Sequence, residues 1–141
     1  MHLIKTTDKP FYPFLSGGTG VGKSHVTKAL YQAVVKYLNT QAGDDFHKVR
    51  AILLALTGKA AYNIEGRTIH STFIIPCHQT LKTYKSLDCS RLNTLQAQLG
   101  SLKVIFLDEI SMVGSSMYNL QINKRLQHIK QLILEVFQLF Q

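Results

Sequence analysis

This sequence contains few cysteines and no complete metal-ligand pattern. Its 141 residues include two cysteines, Cys77 and Cys89. They are too few and too far apart for a disulfide scaffold and do not form a CxxC pair, so reduced thiols are expected. His78 follows Cys77 and His70 lies upstream, but no second close pair completes four ligands, which disfavours a zinc site.

Long apolar runs and targeting patterns are also lacking. No stretch approaches the ~20 consecutive apolar residues of a membrane-spanning helix, which argues against membrane insertion. Residues 1–10 show neither the apolar run of a signal peptide nor the arginine-rich pattern of a transit peptide. With 45% hydrophobic and 17% charged residues, the composition is that of a globular chain, and the length favours one domain.

Acidic residues are outnumbered two to one. The chain has 8 Asp and Glu against 16 Lys and Arg, a formal net charge of +8. Such an excess favours association with a polyanion. Nucleic acid is the natural candidate for that partner.

One stretch carries a specific chemical signature. Residues 16–24 read SGGTGVGKS, which fits the phosphate-binding pattern GxxxxGK(S/T). An apolar run at residues 11–15 precedes it and a helical pattern follows, which is the context that the motif requires. An ordinary glycine-rich turn is the alternative, and these flanks disfavour it.

The residue types of this loop suit phosphate binding. Glycines permit positive φ and let successive N–H groups point at phosphate oxygens, while the following helix adds the positive end of its dipole. The lysine can reach the β- and γ-phosphates, and the serine hydroxyl can ligate magnesium. The predicted ligand is a nucleoside triphosphate with Mg²⁺, bound by Gly17, Gly18, Thr19, Gly20, Val21, Gly22, Lys23 and Ser24.

The hydrophobic pattern predicts an α/β fold with a parallel sheet. We predict a short buried strand over residues 11–15, with Pro13 near its edge or start. Val49–Leu56 is a nearly continuous apolar run, typical of a strand covered on both faces. A strand–helix–strand unit of this kind predicts parallel pairing with a right-handed crossover.

Three helical segments are predicted. The first spans Ser24–Leu38 and the second Arg91–Leu99, with Gly100 placed to end it; Phe73–Asp88 is irregular. Ile110–Gln141 has helical periodicity, with a break around Asn119–Asn123. The predicted apolar face of the first helix consists of Val26, Ala29, Leu30, Ala33, Val34, Tyr37 and Leu38.

A second ligand site is predicted where the second strand ends. In an open α/β sheet, ligands bind beyond the carboxyl ends of the strands, so this segment shares an edge with the phosphate loop. Hydroxyls, backbone amides and cations such as those here hold phosphate backbones without reading bases. A solvated turn before a helix explains them equally well. The candidate groups are Thr57, Gly58, Lys59, Arg67, Thr68 and Ser71.

A carboxylate pair follows a later apolar run. Val104–Leu107 leads directly into Asp108 and Glu109. This is the Walker B arrangement, in which the aspartate holds magnesium, usually through water, and the next carboxylate orients and deprotonates the attacking water. The preceding phosphate loop makes this interpretation much stronger than the pair alone would.

These motifs resemble the first motor domain of Pif1-like DNA helicases, relatives of the RecD-type and Helitron-encoded helicases. GGTGVGKS, LTGKAAYNIEGRTIHSTF and VIFLDEISMVGSSM, followed by NKRL, match that family's motifs in order. The middle block discriminates, because many P-loop proteins share the other two. A small P-loop kinase is therefore disfavoured, and it would also need an acceptor pocket and lid arginines that we do not find.

The resemblance implies a RecA-like fold and ATP-driven 5′ to 3′ unwinding in DNA repair, recombination or telomere maintenance. It implies action in the nucleus, or in the mitochondrion. It assigns Glu109 and Lys23 to catalysis, and Ser24 and Asp108 to magnesium. It places Thr57, Gly58, Lys59, Thr68, His70 and Ser71 along single-stranded DNA.

The sequence also departs from this family. Gln127–Gln141 contains no GDxxQLPP motif, and neither a second RecA-like domain nor an upstream adenine-contacting glutamine is evident. We therefore expect an incomplete RecA-like domain over residues 1–141. Its parts would be the P-loop (16–24), the motif Ia region (57–72), Walker B (104–109) and a helical segment (111–141). A helicase-family ATPase and a motor-inactive nucleotide- and DNA-binding module both fit this pattern.

Overall fold

The fold is organised by one strand, β1 (Ala51–Ala55), whose five residues are all buried. The computed structural model describes residues 12–41, 48–77 and 83–130. Within them, β1 is the central strand of a three-stranded sheet, between β2 (Arg67–Thr68) and β3 (Val104–Asp108). Both neighbours pair with it in parallel, which confirms the predicted sheet type.

Helices cover both faces of this sheet, which is why β1 is apolar throughout. Alternate residues of a strand project to opposite faces. Ile52 and Leu54 belong to one buried cluster, whereas Leu53 and Ala55 belong to another. In chain order the helices are α1 (Lys23–Gln41), α2 (Gly58–Asn63), α3 (Ile69–Phe73), α4 (Cys89–Leu99), a 3-10 helix (Ile110–Met112), a π-helix (Met117–Asn123) and α5 (Lys124–Lys130).

The helices divide between the two faces. α3, α4, the π-helix and α5 pack with Ile52 and Leu54, whereas α1 and α2 pack over Ala51, Leu53 and Ala55. α4 forms where it was predicted. Its N-cap is Asp88, whose Oδ1 accepts from the Arg91 backbone N–H at 2.9 Å.

The register brings the carboxyl ends of all three strands to one edge, the carboxyl edge. Ala55, the last residue of β1, is paired with Thr68 on one side and with Asp108 on the other. The segments that follow β1, β2 and β3 therefore begin side by side. This edge carries the candidate site.

The strand predicted over residues 11–15 is wrong for residues 12–15, which have no regular secondary structure; residue 11 lies outside the described ranges. Apolar side chains form a strand only when a neighbouring strand pairs with them. Within the described ranges β3 pairs with β1 alone, and proline lacks the N–H that a ladder needs. Tyr12, Phe14 and Leu15 are consequently 48%, 74% and 49% exposed.

The predicted apolar face of α1 is also wrong in part. Val34 and Leu38 are buried, but Val26 and Leu30 are 44% and 51% exposed. The helix contacts the sheet through Val34, Leu38 and Tyr31, and the Tyr31 ring meets that of Phe106 edge to face at a centroid distance of 5.8 Å. Helical periodicity identifies the apolar face of a helix. It does not show how much of that face the sheet covers, and here Val26 and Leu30 in the first turns of α1 are left exposed.

Of residues 110–141, predicted to be helical, 110–112 and 115–130 are helical, Val113 and Gly114 interrupt them, and 131–141 lie outside the described ranges. The break expected around Asn119–Asn123 is instead the π-helix, which runs directly into α5. Its wider turns bury Met117, Gln121 and Ile122 on one side. Of Phe73–Asp88, residues 84–88 have no regular structure, as predicted, and 78–82 are not described. No helix in the described ranges is long and apolar enough to cross a membrane.

Candidate nucleotide site

The phosphate loop leads into α1 through two glycines with positive φ. Gly20 has φ of 78° and Gly22 of 88°, and among the glycines described these are the two in that region. The loop contains four glycines, each of which can adopt positive φ, and two of them do so. A Cβ at Gly17 would lie only 3.1 Å from Val21 Cγ2, so this glycine is suited to close packing.

The lysine of the loop is held by the loop itself. Lys23 Nζ donates to the carbonyl oxygens of Gly17 at 2.8 Å and Gly18 at 2.6 Å. The backbone is thereby folded around an ammonium group. This arrangement fixes a positive charge inside the loop, where the phosphates of a nucleotide would bind.

The two predicted magnesium ligands meet although they are far apart in sequence. The Ser24 hydroxyl donates to Asp108 Oδ2 at 3.0 Å, across a separation of 84 residues. Ser24 lies in the first turn of α1 and Asp108 is the last residue of β3, so the packing of α1 on the sheet brings them together. Hydroxyl and carboxylate oxygens are the ligands that Mg²⁺ prefers, with substrate phosphates and water completing the coordination. These two residues therefore fit the predicted cation.

Across residues 12–41, 48–77 and 83–130, no three His, Cys, Asp or Glu side chains are grouped as metal ligands. Cys77 and Cys89 are both exposed and unpaired with each other. His78, the neighbour considered as a zinc ligand, is outside these ranges.

Glu109, the predicted base, follows directly on β3. It is exposed and adopts a left-handed conformation, with φ of 51° and ψ of 45°. Its carbonyl accepts from the Met112 N–H at 3.0 Å, which starts the 3-10 helix. A non-glycine residue in this region is uncommon. The turn leaves the carboxylate at the carboxyl edge, one residue beyond Asp108.

Two hydroxyls of the second predicted site, those of Thr57 and Thr68, are helix caps. Thr57 Oγ1 accepts from the Ala60 N–H at 3.2 Å, and Thr68 Oγ1 accepts from the Ser71 N–H at the same distance. Ser71 Oγ donates in turn to the Thr68 carbonyl at 3.0 Å. Lys59 and Ser71 are exposed and His70 is half-buried. The geometry gathers these residues at the carboxyl edge, and their contact with DNA stays a prediction.

Sequence reasoning missed a buried polar cluster. Arg125 is 2% exposed and donates to the Tyr84 hydroxyl at 3.1 Å and the Lys85 carbonyl at 3.3 Å. Tyr84 also bonds His128 Nδ1 at 3.0 Å. Burial lowers the pKa of Arg125 and raises that of Tyr84. The cluster fastens the segment before α4 onto α5; Arg125 lies within NKRL, but nothing in that motif signals a buried arginine.

A comparison with known families decides the classification. The family described as AAA domain matches residues 3–135, nearly the whole chain. The chain belongs to the AAA domain family. This membership confirms the predicted P-loop NTPase class, and the parallel sheet with its flanking helices agrees with it.

The AAA domain is also similar to curated helicases, as its motifs predicted. It is 33% identical over 112 residues to the ATP-dependent DNA helicase Pif1 of Campylobacter jejuni subsp. jejuni, covering 76% of this chain and 23% of that protein. It is 31% identical over 118 residues to the Pif1 helicase of a Psychrobacter species, covering 84% and 16%. It is 31% identical over 140 residues to PIF1 of Emericella nidulans, covering 94% and 16%.

The chain thus spans about a quarter or less of the length of these relatives. No solved structure gives a significant match.

Proposed function

We propose that this AAA domain is the ATP-hydrolysing part of a Pif1-type DNA helicase. The contact between Ser24 and Asp108 is the observation that carries the proposal, because it unites the two magnesium ligands beside the lysine of the phosphate loop. The relatives named ATP-dependent DNA helicases, each matched over most of this chain, support the same conclusion.

Each polar group of the site has one task in this proposal. Lys23 binds the β- and γ-phosphate oxygens, and the loop amides bind the remaining phosphate charge. Ser24 and Asp108 would hold a magnesium ion, which would supply positive charge against that of the phosphates. Glu109 orients the attacking water and accepts its proton. Its exposed carboxylate follows Asp108 directly, which suits this role.

Single-stranded DNA is the proposed second ligand. Thr57, Gly58, Lys59 and the segment from Thr68 to Ser71 share the carboxyl edge with the phosphate loop, so both ligands would meet one end of the sheet. The net charge of +8 favours such a polyanion. Hydrolysis would drive 5′ to 3′ movement along the strand. Its cellular setting would be DNA repair, recombination or telomere maintenance, in the nucleus or the mitochondrion.

Steady-state MgATP hydrolysis, with and without a single-stranded oligonucleotide, tests the proposal. Glu109→Gln is the matched blank, because it removes the base without changing side-chain size. Turnover above this blank that rises with DNA is the expected result. A folded chain that binds MgATP and the oligonucleotide without turnover would instead be a motor-inactive binding module. Binding of DNA should weaken with added salt, because its contacts are to phosphates.

A further inference from the structure

Tyr62 is an exposed aromatic residue near the segment that follows β1. Its side chain is 84% exposed, more than any other large hydrophobic residue in the described ranges. It lies on α2, which begins at Gly58 just after β1 ends. Lys59 lies three residues earlier on the same helix and is also exposed. Residues three apart share one face of a helix, so this face presents an aromatic ring beside a cation.

The core does not use this tyrosine. α2 packs against the sheet through Ala60, Ala61 and Ile64, which are 6%, 5% and 1% exposed. The two alanines let the helix lie close to Leu53 and Ala55. Tyr62 stands on the opposite side, so its ring is accessible and its replacement leaves the packing unchanged.

The surroundings of the ring suit a polyanion. Tyr62 lines a shallow open depression together with Ala61, Asn63, Glu65 and Gly66. Glu65 is the acidic residue among these five, and it is paired with Lys28 Nζ of α1. A carboxylate that would otherwise repel phosphates is therefore compensated by a fixed neighbouring cation.

We propose that Tyr62 is a base-stacking residue of a single-stranded DNA site whose phosphate contact is Lys59. The proposal rests on the proposed function, in which DNA contacts this edge, and adds the group that would contact a base. Stacking on an exposed ring tolerates any base because every base has a π-face, and it complements cations that follow the backbone. The site would hold DNA without selecting sequence.

Binding of two oligonucleotides separates stacking from backbone contact. The first is a short oligothymidylate, and the second has the same length and charge but abasic sugars throughout. We expect Tyr62→Ala to weaken binding of the first by about tenfold, the scale of one base–aromatic stack. Binding of the abasic strand should be unchanged, because it has no base to stack. Tyr62→Phe keeps the ring and should bind both strands as the wild type does.

Three outcomes overturn the inference. If Tyr62→Ala binds oligothymidylate as tightly as the wild type does, Tyr62 does not stack on a base. The proposed binding of DNA would not be affected by that result. An equal loss on the abasic strand would assign Tyr62 to the backbone. A wild-type chain that binds MgATP but neither strand would overturn both this inference and the DNA part of the proposed function. Unchanged MgATP affinity in each variant shows that the chain is folded.

Discussion

The phosphate loop and the segment from Thr57 to Ser71 lie at the same edge of the sheet, but their polar groups are positioned differently. The Ser24 hydroxyl depends on a carboxylate 84 residues away. The Thr57 and Thr68 hydroxyls instead accept from amides three residues further along the chain. The candidate nucleotide site thus depends on the assembled sheet, whereas the second segment is organised by local hydrogen bonds. Mutations in the phosphate loop should therefore change the affinity for the nucleotide. Mutations of the two threonines should change the stability of the helices that they cap.

The largest effect should come from Lys23→Ala. This change removes the cation held by the Gly17 and Gly18 carbonyls and should weaken MgATP binding by about 100-fold or more, because a charged partner of the phosphates is lost. Titration calorimetry measures it directly. The matched control is Lys28→Ala on the same helix, which lies outside the loop and should bind MgATP normally. Equal affinities in the two variants would contradict the site assignment.

Asp108→Asn should remove the dependence on magnesium. The wild type should bind ATP about tenfold or more tightly with Mg²⁺ than with a chelator, and this ratio should approach one in the variant because a neutral amide is a poorer ligand. Ser24→Ala should behave similarly. Since the two side chains are in direct contact, the double variant should lose less than the sum of the single losses. Additive losses would mean that the residues act independently.

Thr68→Ala should affect stability and spare the nucleotide site. It removes the cap of α3, which should lower the free energy of unfolding by about 1 kcal/mol, measured by urea denaturation. Thr68→Ser keeps a hydroxyl cap and should retain most of the stability. MgATP affinity should be unchanged in both variants. A loss of nucleotide affinity would show that the two regions are coupled after all.

The smallest effect should come from the ion pair between α1 and the turn after α2. Lys28→Ala frees the Glu65 carboxylate beside Tyr62, and the added repulsion should weaken DNA binding by about twofold to threefold at low salt. Screening should abolish this difference near 1 M salt. Adding Glu65→Gln should restore affinity. If it does not, Lys28 contacts DNA itself.

The parts of the fold that could be predicted are those in which the local pattern of apolar and polar residues determines the structure. β1 is apolar because both faces are covered, and the pattern of its sequence shows this directly. The contact between Ser24 and Asp108 was predictable for a similar reason, because both residues, like Lys23, occur in motifs whose residue types suit phosphate and magnesium chemistry; their roles stay a prediction.

The predictions that were wrong have a common physical cause. A local sequence pattern does not specify which residues pack against it in the folded chain. Residues 12–15 look like a strand but pair with no strand in the described ranges. Leu30 looks like a core residue but remains 51% exposed. The sequence likewise does not indicate that Tyr62 is exposed, because its accessibility depends on how α2 packs on the sheet.

The hydrogen bond between Ser24 and Asp108 also ties ligand occupancy to the folding equilibrium. It can form only after α1 and β3 are both in place, so the candidate nucleotide site is absent from an unfolded chain. A ligand that binds only the native state stabilises it by mass action, by about 2.7 kcal/mol at 100 times its dissociation constant. Cellular MgATP would then act as a folding ligand, protecting the chain against opening anywhere between its first helix and its third strand.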